Sequence, residues 1–147
     1  MTNFSVRNIP FRDGFLKVRE WGSGLTVLLV HGWNANWSHF GKLIPVLLNQ
    51  GYRVVAYDAP AHGESSGNQT NIVEMSSALL AVKKDIGEVH AVVGHSLGGA
   101  TTALAIDISD VNTILLIATV SSGLTSPTFY TLGTNNATAQ VIYSAEL

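Results

Sequence analysis

Short apolar runs alternate with stretches of helical period along most of the chain. Thr26–Val30, Arg53–Tyr57, residues 89–93 and Thr113–Ala118 are near-continuous apolar segments of strand length. Such segments suit strands buried on both faces of a parallel sheet. Between the first two, Phe40, Leu43, Ile44, Leu47 and Leu48 fall at i, i+3, i+4, i+7 and i+8, which is one face of a helix. Gly51 stands where that helix needs a left-handed residue to end, and Pro45 either kinks it or marks its first turn. Ile72, Met75, Leu79, Val82 and Ile86 line one face of a second helix, opened by Asn71 with Glu74 three residues on. Residues 97–106 form a third helix of mostly small side chains. Before all of these, Phe4, Val6, Phe15 and Val18 flank Asp13-Gly14 in a hairpin pattern. The order is a hairpin followed by β-α-β-α-β-α-β. That predicts an α/β fold with a mostly parallel sheet and helices on both faces.

The alternation stops after the sixth strand. Residues 121–147 are rich in Thr, Ser, Asn and Ala and carry no amphipathic helical pattern. Gly133, Asn135 and Asn136 read as a turn, and 120–147 is an unassigned tail. The chain therefore reads as one partial domain, 1–147, truncated after that strand. On this reading one side of the segment carrying Ile114, Leu115, Leu116 and Ile117 is an open edge, and the chain is expected to self-associate through it.

Composition narrows the function classes. Of 147 residues, 46% are hydrophobic and 12% charged, enough apolar material for a core. The net charge is −2 with no basic run, which disfavours a nucleic-acid partner. There is no cysteine, hence no disulfide framework or thiolate metal site. No apolar run reaches membrane-spanning length, and residues 1–10 lack a secretory pattern, so a cytoplasmic protein is expected.

Ligands of parallel sheets bind beyond the carboxyl ends of the strands. Three motifs stand there. Gly94-His95-Ser96-Leu97-Gly98 is a G-x-S-x-G pattern between a strand and a helix, the context of a nucleophile elbow. Its turn would lift the Ser96 hydroxyl to the top of the sheet at a helix N-terminus, where N–H groups are unpaired. His31-Gly32-Trp33 follows the first core strand. It occupies the place from which a second oxyanion donor is supplied, so the backbone N–H of Trp33 joins that of Leu97 as candidate donors. His31 itself reads as structural. Asp58-Ala59-Pro60-Ala61-His62-Gly63-Glu64-Ser65 follows the second core strand, and Asp58 and His62 read as groups that hydrogen-bond that loop.

Together with Gly51-Tyr52-Arg53-Val54-Val55-Ala56-Tyr57, these motifs resemble the α/β-hydrolase superfamily, specifically its small bacterial serine hydrolases. The resemblance covers about residues 4–120. It implies Ser96 as the nucleophile, Trp33 and Leu97 as the oxyanion hole, a small ester as substrate, and neither cofactor nor metal. A serine at position 96 disfavours the dehalogenase and epoxide hydrolase branches, whose nucleophile resembles an aspartate.

The resemblance also implies a triad acid and histidine after Ser96. No histidine follows His95, and the one acidic residue after Asp110 is Glu146. Of the five histidines, His90 is expected at the far end of the sheet, His95 pointing away from the pocket, and His39 near the rim of the cleft. The reading is a serine esterase by ancestry acting through a Ser96 acyl-enzyme. The alternative is an inactive fragment or a ligand-binding relative.

Overall fold

A computed structural model describes residues 4–107, 110–118, 129–132 and 138–143. Strands β1 (Phe4–Phe11) and β2 (Gly14–Trp21) form the hairpin. Then come β3 (Thr26–Val30), a turn of 3-10 helix (Trp37–Phe40), α1 (Leu43–Asn49), β4 (Arg53–Tyr57) and α2 (Ile72–Ile86). The remaining elements are β5 (Ala91–His95), α3 (Leu97–Ala105), β6 (Thr113–Ala118), β7 (Phe129–Leu132) and β8 (Thr138–Tyr143). Among the described residues they build one eight-stranded sheet in the order β1-β2-β4-β3-β5-β6-β8-β7. The inner strands β4, β3, β5, β6 and β8 run parallel, and β2 and β7 pair antiparallel at their ends.

The strand pleat sorts the apolar runs into two cores. Leu28, Val30, Val55, Tyr57 and Val92 face α2 through Ala78, Leu79, Val82 and Ile86. Val27, Leu29, Val54, Ala56 and Val93 face the other way, onto Phe40 and Ile44. Helices thus cover both faces, as the double-sided runs require. No helix among the described residues is long and apolar enough to cross a membrane.

Several boundaries differ from the sequence pattern, each for a physical reason. The hairpin turn is Arg12-Asp13, with Phe11 opposite Gly14. Arg12 takes the left-handed φ of 50°. Gly14 is required by packing instead: a Cβ there would lie 1.9 Å from the Ser66 hydroxyl oxygen, which accepts from Phe15 N–H at 2.7 Å. The first helical pattern splits, because Phe40 closes the 3-10 turn while α1 starts at Leu43 and holds Pro45 in its first turn. Strand β5 runs two residues past Val93, through His95, because Gly94 and His95 pair with Leu116 and Ile117.

The largest correction concerns β6. Helical alternation ceases after it among the described residues, but the sheet does not. β8 pairs parallel with all six residues of β6, and β7 then pairs with β8. The open edge expected at Ile114–Ile117 is therefore covered by β8. Phe129, Tyr130, Leu132, Val141, Ile142 and Tyr143 of the tail fall in these two strands. The turn expected at Gly133, Asn135 and Asn136 lies outside the described residues.

Candidate active site

Ser96 is the single residue between β5 and α3, with φ 55° and ψ −122°. A left-handed φ is costly for a residue with a Cβ and persists only where the surroundings enforce it. Here two glycines do so. A Cβ on Gly94 would come within 2.8 Å of Gly98 O and Gly99 Cα. One on Gly98 would come within 2.2 Å of Val30 O and 2.5 Å of His31 O. The start of α3 therefore packs backbone to backbone on the end of β3, and the chain turns sharply at Ser96. A serine before a helix ordinarily accepts a hydrogen bond from the first turn. The Ser96 side chain makes none, so its hydroxyl is not used as a cap. Leu97 is the first residue of α3, and its N–H has no carbonyl one turn earlier to bond.

The loop after β3 lies against this turn. A Cβ on Gly32 would sit 3.1 Å from Ser96 Cβ and 3.4 Å from Leu97 N. Trp33 follows, half exposed, with its ring edge-on to His62 at 5.1 Å. The structure thus brings Gly32 against Ser96 and Leu97, with Trp33 next in the chain.

The loop after β4 holds that loop in place. His31 is buried; Ala59 N–H donates to its Nε2 (2.9 Å), and its Nδ1 bonds Gly32 O (2.7 Å). Asn34 N–H donates to His62 Nε2 (3.0 Å), and His62 Nδ1 bonds Pro60 O (2.9 Å). Asp58 is fully buried and accepts from Trp37 N–H (3.0 Å), Glu64 N–H (3.0 Å) and the Arg19 guanidinium (3.2 Å). Arg19 also pairs with Glu64 at 3.0 Å and lies over the Trp37 ring at 4.8 Å. Sequence reading placed Asp58 and His62 in loop bonding but missed Arg19. The signal was there: an arginine in the middle of a half-buried strand needs a carboxylate.

None of the five histidines hydrogen-bonds the Ser96 hydroxyl among the described residues. His31 and His62 use both ring nitrogens elsewhere. Burial, then the charge of His39, pushes His95 below the usual imidazole range, and its buried Nδ1 has no hydrogen-bond partner among the described residues. His39 lies within the 3-10 turn, exposed. His90 precedes β5 at the opposite end of the sheet and stacks on Tyr52. Beside Trp33 a cleft of about 350 Å³ is lined by Asn34, Ala61, His62, Asn68, Gln69 and Thr70. Its walls are mostly amide and hydroxyl groups. No group of three acidic or histidine side chains among the described residues could hold a metal.

Comparison with known proteins identifies the family of the fold. Residues 27–142 match the model of the alpha/beta hydrolase family. A non-heme haloperoxidase of Rhodococcus erythropolis is 33% identical over 88 residues, 58% of this chain and 32% of that protein. A human serine hydrolase-like protein is 38% identical over 96 residues, 58% of this chain and 45% of that one. Among solved structures, an esterase from Exiguobacterium antarcticum superposes with a TM-score of 0.65 at 29% identity, covering 71% of this chain and 42% of its own. The chain spans less than half the length of each of these relatives.

Proposed function

Because the chain belongs to the alpha/beta hydrolase family, we propose that it carries the nucleophile and oxyanion half of a serine hydrolase acting on carboxylic esters. Ser96 is the nucleophile, and the backbone N–H groups of Trp33 and Leu97 are the oxyanion donors. The observation that carries this reading is the left-handed, uncapped Ser96 with Gly32 seated against it. An ordinary strand-to-helix turn has no reason to keep a strained serine with an unused hydroxyl.

In this reading the Ser96 oxygen attacks the ester carbonyl and passes its proton to solvent water. Negative charge gathers on the carbonyl oxygen, where fixed donors stabilise it at no cost in reorganisation. The C–O bond to the alcohol then breaks, the alcohol leaves with a proton, and water releases the acid from the acyl-enzyme. The esterase likeness supports an ester as substrate, and the polar cleft beside Trp33 suits a small ester with hydrogen-bonding groups.

A serine hydroxyl without an adjacent base is a weak nucleophile. Among the described residues no imidazole meets Ser96, which favours slow turnover by this chain or a ligand-binding role. Hydrolysis of p-nitrophenyl acetate by the 147-residue chain and by Ser96→Ala separates these readings. The expected result is slow hydrolysis that Ser96→Ala lowers, because the substitution removes the attacking oxygen. Equal rates in the two proteins support the non-catalytic reading. Turnover of about 1–10³ per second would show that a base is present, and His39→Ala is the next variant to measure.

A further inference from the structure

We propose that His31 and His62 are a reciprocal pair of positioning residues that aim the Trp33 donor, and that both act as neutral imidazoles protonated on Nδ1. The inference rests on the reading of Trp33 as an oxyanion donor. Its geometry comes from four hydrogen bonds, two of which cross between two loops.

His31 sits in the loop after β3 and takes the Ala59 N–H of the loop after β4. His62 sits in the loop after β4 and takes the Asn34 N–H of the loop after β3. Each loop thus supplies one imidazole and one backbone donor to the other. The protonation state follows from the partners. A backbone N–H can only donate, so Nε2 of each ring must be bare. Gly32 O and Pro60 O can only accept, so Nδ1 of each ring must carry the proton. A second proton on either ring would set donor against donor at Nε2.

The bonds act on the two peptide groups flanking Trp33. In a trans peptide the C=O and N–H point in opposite directions, and no cis bond occurs here. His31 Nδ1–H holds the Gly32 carbonyl at 2.7 Å, which turns the Trp33 N–H away from His31. His62 holds the next peptide through Asn34 N–H, and the Trp33 ring packs edge-on against it. Asn34 has a left-handed φ of 57°, so this turn needs such anchoring. These bonds fix Trp33 at both ends.

The surroundings of His31, burial first, disfavour its charged form. The two rings lie 5.4 Å apart, so charging one disfavours charging the other. Tyr57 of β4 faces His31 at 6.5 Å. His39 and Asp58 are the other titratable groups acting on His31, and the Asp58 carboxylate is already engaged by Arg19 and two backbone N–H groups.

The test uses the ¹⁵N-labelled 147-residue chain. Long-range ¹H–¹⁵N spectra at pH 7.5 are expected to show both rings protonated on Nδ1 and bare at Nε2. Exchange of the Asn34 amide should quicken at least about tenfold in His62→Ala and less in His62→Gln, whose side-chain oxygen still accepts. Either ring in the Nε2–H or cationic form overturns the clasp, as does unchanged Asn34 exchange in a folded His62→Ala. The spectra of the unaltered chain decide the matter if that variant does not fold. Ser96-dependent ester hydrolysis gives the second readout: kcat should fall about tenfold or more in His62→Ala with KM little changed, short of the roughly 10²–10³ of losing a donor outright. Freed Asn34 with unchanged kcat overturns Trp33 as the donor, and with it the positioning role. Failure of the ring protonation pattern overturns the clasp alone.

Discussion

Gly98→Ala opposes two effects of known size. Within a helix alanine is better than glycine by about 0.8–1.0 kcal/mol, so at an open position of α3 the change would stabilise the protein. At Gly98 the new methyl would meet Val30 O at 2.2 Å and His31 O at 2.5 Å. Ordinary contact begins near 3.4 Å, so the start of α3 and the end of β3 must part by about 1 Å. Both obstacles are backbone carbonyls of a buried strand and cannot rotate aside. Overpacking of this kind costs about 1–3 kcal/mol or more. The net expectation is a loss of about 1–2 kcal/mol, a sizeable part of the roughly 5–15 kcal/mol that stabilises a domain. Urea unfolding is the assay, with a lower midpoint and an unchanged slope as the result. Gly51→Ala is the control: nothing lies within 4 Å of its added Cβ. Its cost is the left-handed φ of 86° alone, about 1–2 kcal/mol. A Gly98→Ala protein as stable as the parent would refute the close seating of α3 on β3, and with it the account of why Ser96 turns as it does.

Asp58→Ala leaves the buried Arg19 without one of its two carboxylates and frees two backbone donors, Trp37 and Glu64 N–H; breaking a buried pair predicts a loss of about 3–5 kcal/mol in urea or thermal unfolding. Burial holds His31 below its ordinary value of 6.5 and does the same to His95. Between that value and the lower folded one the unfolded chain binds more protons, so stability should fall as pH drops below about 6.5 and the loss should level off under the folded pKa. Urea midpoints between pH 8 and 5 check the sign, and a midpoint that rises on acidification contradicts it.

The strands β3, β4 and β6 were legible to the residue, because runs buried on both faces leave no ambiguity of period. The elbow was legible because its glycines, its serine and its flanking elements occupy consecutive positions. The β5 boundary was not, since Gly94 and His95 look like turn residues and join the sheet only through pairing with β6. The hairpin turn was misplaced for a similar reason: Gly14 answers to Ser66, fifty-two residues away, and not to local dihedrals. β7 and β8 were missed because hydroxyl and amide residues dilute their short patterns. At the site, the Arg19–Asp58–Glu64 group and the crossed histidine bonds join β2 and two loops, contacts that no local motif encodes.

The central claim is that Ser96 becomes acylated. Peptide mapping by mass spectrometry after incubation with p-nitrophenyl acetate tests it most directly. The account predicts an acetyl group on the peptide carrying Ser96, forming in step with release of p-nitrophenol and absent from Ser96→Ala. Nitrophenol release with no acetyl on Ser96, at a rate that Ser96→Ala leaves unchanged, would contradict it.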